Sequence, residues 1–167
     1  MRAGWSQTLQ CLDDFLTGAV DCLVQFIRMY SAPPEEVFKL WIEPGHLSKW
    51  WGPEGFIITI DEINVEVGGK WKFAMHGPDG ADFPNVIAYK EIIPAERLVY
   101  VQGEPGDPDP QFTSIVTFEE MMGDTALSMR LVFDSQDSRD MAVEKYLAVE
   151  GGNQTLDRLG ELVLASS

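Results

Sequence analysis

Gly68-Gly69-Lys70-Trp71-Lys72-Phe73-Ala74-Met75-His76-Gly77-Pro78-Asp79-Gly80 is the stretch whose reading decides the fold. Between a Gly-Gly turn and a Gly-Pro-Asp-Gly turn, Trp71, Phe73 and Met75 alternate with Lys70, Lys72 and His76. Successive side chains of a strand point to opposite faces, so the alternation predicts a strand over 70–76 with one face on a core and one in water. Such half-polar strands belong to antiparallel sheets, whose partners follow at hairpin spacing.

Partners are readable on both sides. Phe56 to Glu62 predicts a strand, as do Asn85 to Ile93 and, after a Pro94-Ala95-Glu96 turn, Arg97 to Gln102. Gly103 to Pro110 is rich in Pro and Gly and reads as a surface loop. Gln111 to Glu120 and Thr125 to Phe133 predict a hairpin around Met122-Gly123-Asp124. Phe112, Ser114, Val116 and Phe118 alternate on one arm, and Leu127, Met129, Leu131 and Phe133 on the other.

Upstream, Cys22 to Tyr30 is rich in β-branched and aromatic residues and predicts the first strand, stopping at Ser31-Ala32-Pro33-Pro34. Pro33 suits a first helical turn, and Glu35 and Glu36 favour the helix dipole there. Val37, Phe38, Leu40 and Trp41 then supply a buried stripe until Pro44 stops the helix. A second short helix, Pro44 to Trp50, ends at Trp50-Trp51-Gly52-Pro53.

The period changes at the end of the chain. Ala142, Tyr146, Val149, Asn153, Leu156, Gly160 and Val163 fall three or four apart and trace one face from Ser138 to Leu164. The stripe keeps its phase across Gly151-Gly152, which predicts one long helix of about 40 Å, thinned or bent at the glycines. The order is strand, two short helices, six strands, long helix. The fold class is therefore α+β, an antiparallel sheet of six or seven strands whose apolar face is covered by the long helix.

The 167 residues fit one domain, 21–167, preceded by an extension over 1–20 that is helical or disordered. A chain of this size buries roughly 70% of its unfolded surface, enough to stand without disulfides or metals. Twelve Lys and Arg against 27 Asp and Glu give a net charge of −15, which opposes binding to nucleic acid or an anionic membrane surface. No run is apolar enough to cross a membrane, and Asp13 and Asp14 interrupt any signal-like stretch. Cys11 and Cys22 lack metal-site or redox spacing and are expected as reduced thiols of a cytoplasmic protein.

Ala32-Pro33-Pro34-Glu35-Glu36-Val37-Phe38 to Trp41, Trp50-Trp51-Gly52-Pro53, Gly68-Gly69-Lys70-Trp71, Gly77-Pro78-Asp79-Gly80, Glu91-Ile92 with Pro94, Arg97-Leu98, and Gln154-Thr155-Leu156-Asp157-Arg158-Leu159 together carry a resemblance. From Val24 to Leu164 the chain resembles bacterial homologues of the activator of the heat-shock-protein-90 ATPase, within the START-like (SRPBCC, Bet v-type) helix-grip superfamily. The resemblance implies a curved sheet gripping the C-terminal helix, with a cavity between them. Superfamily relatives bind lipids, hormones, sterols or polyketides, and a few cyclise or hydrolyse them. Two departures stand out. Asn64 and Glu66 replace an acid and an arginine that relatives often carry before the glycine pair. Gly152 replaces a tryptophan of the last helix, so the cavity is expected to be wider opposite it.

The expected function is binding of a small hydrophobic or aromatic molecule in that cavity, without catalysis, metal or cofactor. Its expected contacts are Trp41, Trp50, Trp51, Phe56, Trp71, Phe73, Met75, Tyr89, Phe112, Met129, Tyr146, Gly152 and Asn153. Several have plain structural readings: the paired tryptophans as packing anchors beside a turn, Trp71, Phe73 and Met75 as core. His76 and His46 read as surface histidines. Asp61, Glu62, Glu66 and Glu54 read as a solvated acidic face. Lys145 either orients a ligand or reaches solvent. The alternative is a chaperone-associated interaction module in stress response. A third reading is a polyketide cyclase- or hydrolase-like enzyme with a proton shuttle from His76, Tyr89 or Tyr146; the sequence shows no nucleophile with an adjacent base. Monomer and homodimer both remain open.

Overall fold

A computed structural model of the chain describes residues 22–106, 111–144 and 148–166. The strands are β1 (Leu23–Tyr30), β2 (Ile57–Ile63), β3 (Lys70–His76), β4 (Asp82–Ile93), β5 (Arg97–Gly103), β6 (Phe112–Met121) and β7 (Asp124–Phe133). They form one antiparallel sheet in the order β1-β7-β6-β5-β4-β3-β2. Helices α1 (Pro34–Ile42) and α2 (Pro44–Trp50) lie between β1 and β2, and α3 (Gln136–Glu144) and α4 (Ala148–Ser166) follow β7. The α+β architecture matches the expectation.

The alternation read from the sequence sets the register. Trp71 and Phe73 are buried while Lys70 and Lys72 are exposed. The same period buries Ser114, Val116 and Phe118 on β6 and Leu127, Leu131 and Phe133 on β7. At Gly68, φ is +88°, and a Cβ on Gly69 would fall 2.1 Å from the Asn64 carbonyl oxygen, so only glycine fits there. Gly68 N–H donates to the Tyr89 carbonyl and Tyr89 N–H to the Gly69 carbonyl, which stitches this turn to β4.

β4 begins at Asp82, three residues before its expected start, and runs through Pro84. Pro84 pairs with Ala74 on the β3 side, but the ladder with β5 starts only at Val86. A residue without an N–H is tolerated where one side of the strand is unpaired.

The single helix expected over 138–164 is described as α3 and α4, with Lys145 and Tyr146 outside the described residues. Helix α4 runs unbroken through Gly151-Gly152. Its inner side lies along β1. The space where a Cβ of Gly152 would stand is filled by the Phe26 ring, 2.3 Å away, and the Tyr30 ring lies 3.3 Å from that of Gly160. Phe26 and Tyr30 stand about 13 Å apart along the strand, and Gly152 and Gly160 about 12 Å apart along the helix. The two pitches match, so both rings seat in glycine notches. Between them Arg28 pairs with Asp157 and donates to Asn153 Oδ1 at 2.9 Å, and Tyr30 OH donates to the Leu156 carbonyl.

Two expectations are corrected. The absence of a large side chain at Gly152 opens no cavity, because Phe26 from β1 occupies the space. Cys22, expected as a reduced thiol, is disulfide-bonded; Cys11, the chain's other cysteine, lies outside the described residues. No described helix is long and apolar enough to cross a membrane.

Candidate functional site

Two adjacent tryptophans would normally diverge by about 100° on a helix. Here the helix ends between them. Trp50 is the last residue of α2, and Trp51 is extended (φ −68°, ψ 133°), followed by Gly52 at φ +99°. Both rings therefore turn into the core. Trp51 lies edge-on to Trp50 (5.2 Å between centroids), Trp41 (5.8 Å), Trp71 (5.0 Å) and Phe73 (6.2 Å). Such pairs contribute about 0.5–1.5 kcal/mol each beyond their buried area.

The turn is fixed from outside by Arg158 of α4. Its Nη1 donates to the carbonyls of Gly52 (2.9 Å), Pro53 (3.1 Å), Phe56 (3.2 Å) and Trp51 (3.4 Å), and its Nη2 to that of Lys49 (3.1 Å). Gln154, one turn earlier, accepts from the Glu54 N–H.

Beneath the turn lies a narrow gap walled by Trp41, Trp51, Trp71, Ile87, Tyr89, Leu98 and Tyr100. No part of it is wide enough for a water molecule. It sits between β3–β5 and the α1–α2 segment; no residue of α4 lines it. Under the C-terminal helix, Leu156, Leu159 and Val163 are buried in the core.

Two of the seven lining residues, Trp41 and Trp71, carry a buried indole N–H with no hydrogen-bond partner among the described residues. Trp50 provides the contrast, since its Nε1 donates to the Leu40 carbonyl at 2.8 Å. Ser114 stands opposite Tyr100 in the β5–β6 register, and hydrogen bonding between the two side chains acts against the burial that raises the phenol. Burial holds the Tyr100 phenol far above its ordinary range; Tyr89 is raised likewise by burial, then by Tyr100. A buried polar group without a partner costs about 1–3 kcal/mol, and native interiors carry few.

Among the expected contacts, Trp41, Trp51, Trp71 and Tyr89 meet at this space. Trp50 and Phe73 pack directly behind it. Phe56, Met75, Phe112 and Met129 are half-buried away from it; Phe56 lies against Phe83, and Phe112 against Phe133. Gly152 and Asn153 belong to the β1–α4 seam, and Tyr146 lies outside the described residues. Ile87, Leu98 and Tyr100 were missed. Val86-Ile87-Ala88 and Leu98-Val99-Tyr100-Val101 are apolar on both parities, so alternation could not say which side faces in.

On the opposite face of the sheet, His76 Nε2 lies 2.8 Å from Thr59 Oγ1 and its Nδ1 2.7 Å from Asp82 Oδ1. A hydroxyl next to a base was not visible in the sequence, because the pairing of β2, β3 and β4 creates it. The group stands in solvent, with Asp82 67% exposed, on the other side of the sheet from the interior space. Asn64 and Glu66, at the departure noted before the glycine pair, bond to each other.

The fold is shared widely. A protein from Nitrosomonas europaea superposes with a TM-score of 0.77 at 20% identity, covering 88% of this chain and 97% of its own. A protein from Chromobacterium violaceum gives 0.72 at 27% identity, covering 84% and 96%. The AHSA1 protein of Silicibacter pomeroyi gives 0.68 at 21% identity, covering 87% and 99%. No curated protein matches the sequence. The family described as activator of Hsp90 ATPase homolog 1-like protein matches residues 31–163, from the start of the α1 segment to the buried end of α4, and the chain belongs to that family.

Proposed function

We propose that the protein binds a small apolar or aromatic molecule in its interior, between β3–β5 and the α1–α2 turn, and does not transform it. The observation that supports this reading is the gap walled by Trp41, Trp51, Trp71, Tyr89 and Tyr100 with Ile87 and Leu98. Ligand sites are mostly apolar with a few placed polar groups, and hydrophobic burial supplies their driving force. Native mass spectrometry of freshly isolated protein tests it. The expected spectrum carries an added mass of small-molecule size that organic solvent releases. A bare chain mass, together with an unfolding temperature that no aromatic hydrocarbon raises, would overturn the reading.

A second reading, action on a chaperone, draws on the family description and on edge strand β1, where Ile27 and Met29 are 66% and 57% exposed. Adding the protein to a purified Hsp90-type chaperone is then expected to raise its ATP turnover, and Ile27→Asp to abolish the rise. Unchanged turnover with the native chain sinks this reading.

A further inference from the structure

We propose that the free edge of β1 receives an extended peptide segment as an added strand, and that this segment alternates apolar with basic side chains. The proposal is independent of the interior-binding reading, and it shares β1 with the chaperone reading without needing a chaperone. The two ends of the sheet are built differently. At one end β2 carries exposed Asp61 and Glu62 and a bulge between Ile60 and Glu62; charges and bulges are devices that keep an edge from pairing. At the other, β1 runs eight residues in unbroken register with β7, without bulge, proline or carboxylate. Its one charge, Arg28, is turned onto α4, where Asp157 pairs with it. Among the described residues no second strand pairs with β1, so alternate backbone groups along it are left for a further ladder. The Leu23 carbonyl accepts from Arg139 Nε at 3.4 Å. The open stretch is therefore 24–30, about 20 Å long.

The two flanks of this edge set the side chains. On the face away from α4, Ile27 and Met29 are 66% and 57% exposed, and their cross-strand neighbours on β7 are Ser128 and Ala126. Apolar side chains of an added strand cover them. On the other face runs α4. At about 100° per residue, Glu150, Asp157 and Glu161 fall on one exposed stripe, roughly opposite the buried Leu156, Leu159 and Val163. Asp157 touches Arg28, so the stripe lies beside β1. It is about 16 Å long, close to the length of the open stretch. No ion pair engages Glu150 or Glu161 among the described residues. Basic side chains of the added strand meet them there, and the net charge of −15 draws such a segment in. Successive side chains of a strand alternate between faces, so the two flanks together select apolar and basic residues in turn.

The test uses the full chain, 15N-labelled, and three synthetic peptides. One is Lys-Val-Lys-Val-Lys-Val-Lys; the second is its block isomer Lys-Lys-Lys-Lys-Val-Val-Val; the third is the alternating sequence N-methylated throughout, which cannot donate to a ladder. The alternating peptide is expected to bind about tenfold or more tighter than either control, the worth of a few ladder hydrogen bonds. Its amide shifts are expected along β1 and the exposed stripe of α4, with none along β2. Glu150→Gln combined with Glu161→Gln, both at exposed positions, is expected to weaken it about threefold, as loss of surface ion pairs does. Equal binding of the alternating and block peptides would reduce the effect to bulk charge attraction and overturn the edge. Undiminished binding by the double variant overturns the basic half of the pattern, and shifts centred on β2 overturn the site. A concentration-dependent dimer that forms through β1 without peptide would give the edge to a second copy and overturn the proposal, as would failure of all three peptides to bind. None of these outcomes touches the interior-binding reading.

Discussion

Arg158 places a guanidinium under the double-tryptophan turn, where five backbone carbonyls, those of Lys49, Trp51, Gly52, Pro53 and Phe56, receive it. Nη1 shares its two N–H groups among four of these carbonyls while Nη2 reaches the fifth, a spread that two nitrogens of a planar fork cover and the single nitrogen of an ammonium does not. Arg158→Lys is therefore expected to cost about 1–3 kcal/mol, lowering Tm by roughly 2–4 °C per kcal/mol. Because the turn carries Trp51, the same variant should make tryptophan fluorescence more accessible to acrylamide. Unchanged Tm and quenching would show that the turn holds itself. The sequence displayed Arg158 only as part of a family-like run, since backbone carbonyls leave no mark in a sequence. Asn153 misled for a related reason: a polar residue on an apolar stripe looks the same whether it awaits a ligand or an arginine from another strand.

At the scale of elements, the strands were legible because period two survives wherever one face is wet, as in Lys70–His76. It failed where both faces are apolar, which hid Tyr100 and Leu98. The seam between α4 and β1 was invisible for a different reason. Its logic is the match between a strand pitch and a helix pitch, and neither segment shows it alone. Adjacent glycines therefore have opposite roles. A Cβ at Gly151 meets only Pro53, at 3.5 Å, whereas one at Gly152 strikes the buried Phe26 ring. Gly151→Ala is expected to stabilise by up to about 1 kcal/mol through helix propensity. Gly152→Ala should destabilise by about 1–3 kcal/mol through overpacking, and Phe26→Leu in the same chain should recover part of the loss. Urea unfolding reads both; equal shifts for the two single variants would dismiss the notch.

The molecule as a whole sequesters phenols. Tyr30, Tyr89 and Tyr100 are each held far above their ordinary range, burial being the largest cause in every case. A group whose folded pKa is raised gives stability that is complete below its unfolded value, near 10 for tyrosine, and is lost as pH rises beyond it. Each phenol then contributes a slope of up to about 1.4 kcal/mol per pH unit, and three together about 4, enough to exhaust a typical stability of 5–15 kcal/mol within a few units. Alkaline titration should therefore show phenolate absorbance near 295 nm rising together with loss of far-ultraviolet circular dichroism. Absorbance of more than one phenolate near pH 10 with the dichroism intact would contradict it, since the chain's fourth tyrosine, Tyr146, lies outside the described residues. Tyr100→Phe separates the tyrosines from lysines titrating in the same range: it should reduce the alkaline slope by one phenol's share. At pH 7 it should change stability by about 1 kcal/mol at most, the worth of the hydrogen bond its hydroxyl shares with Ser114.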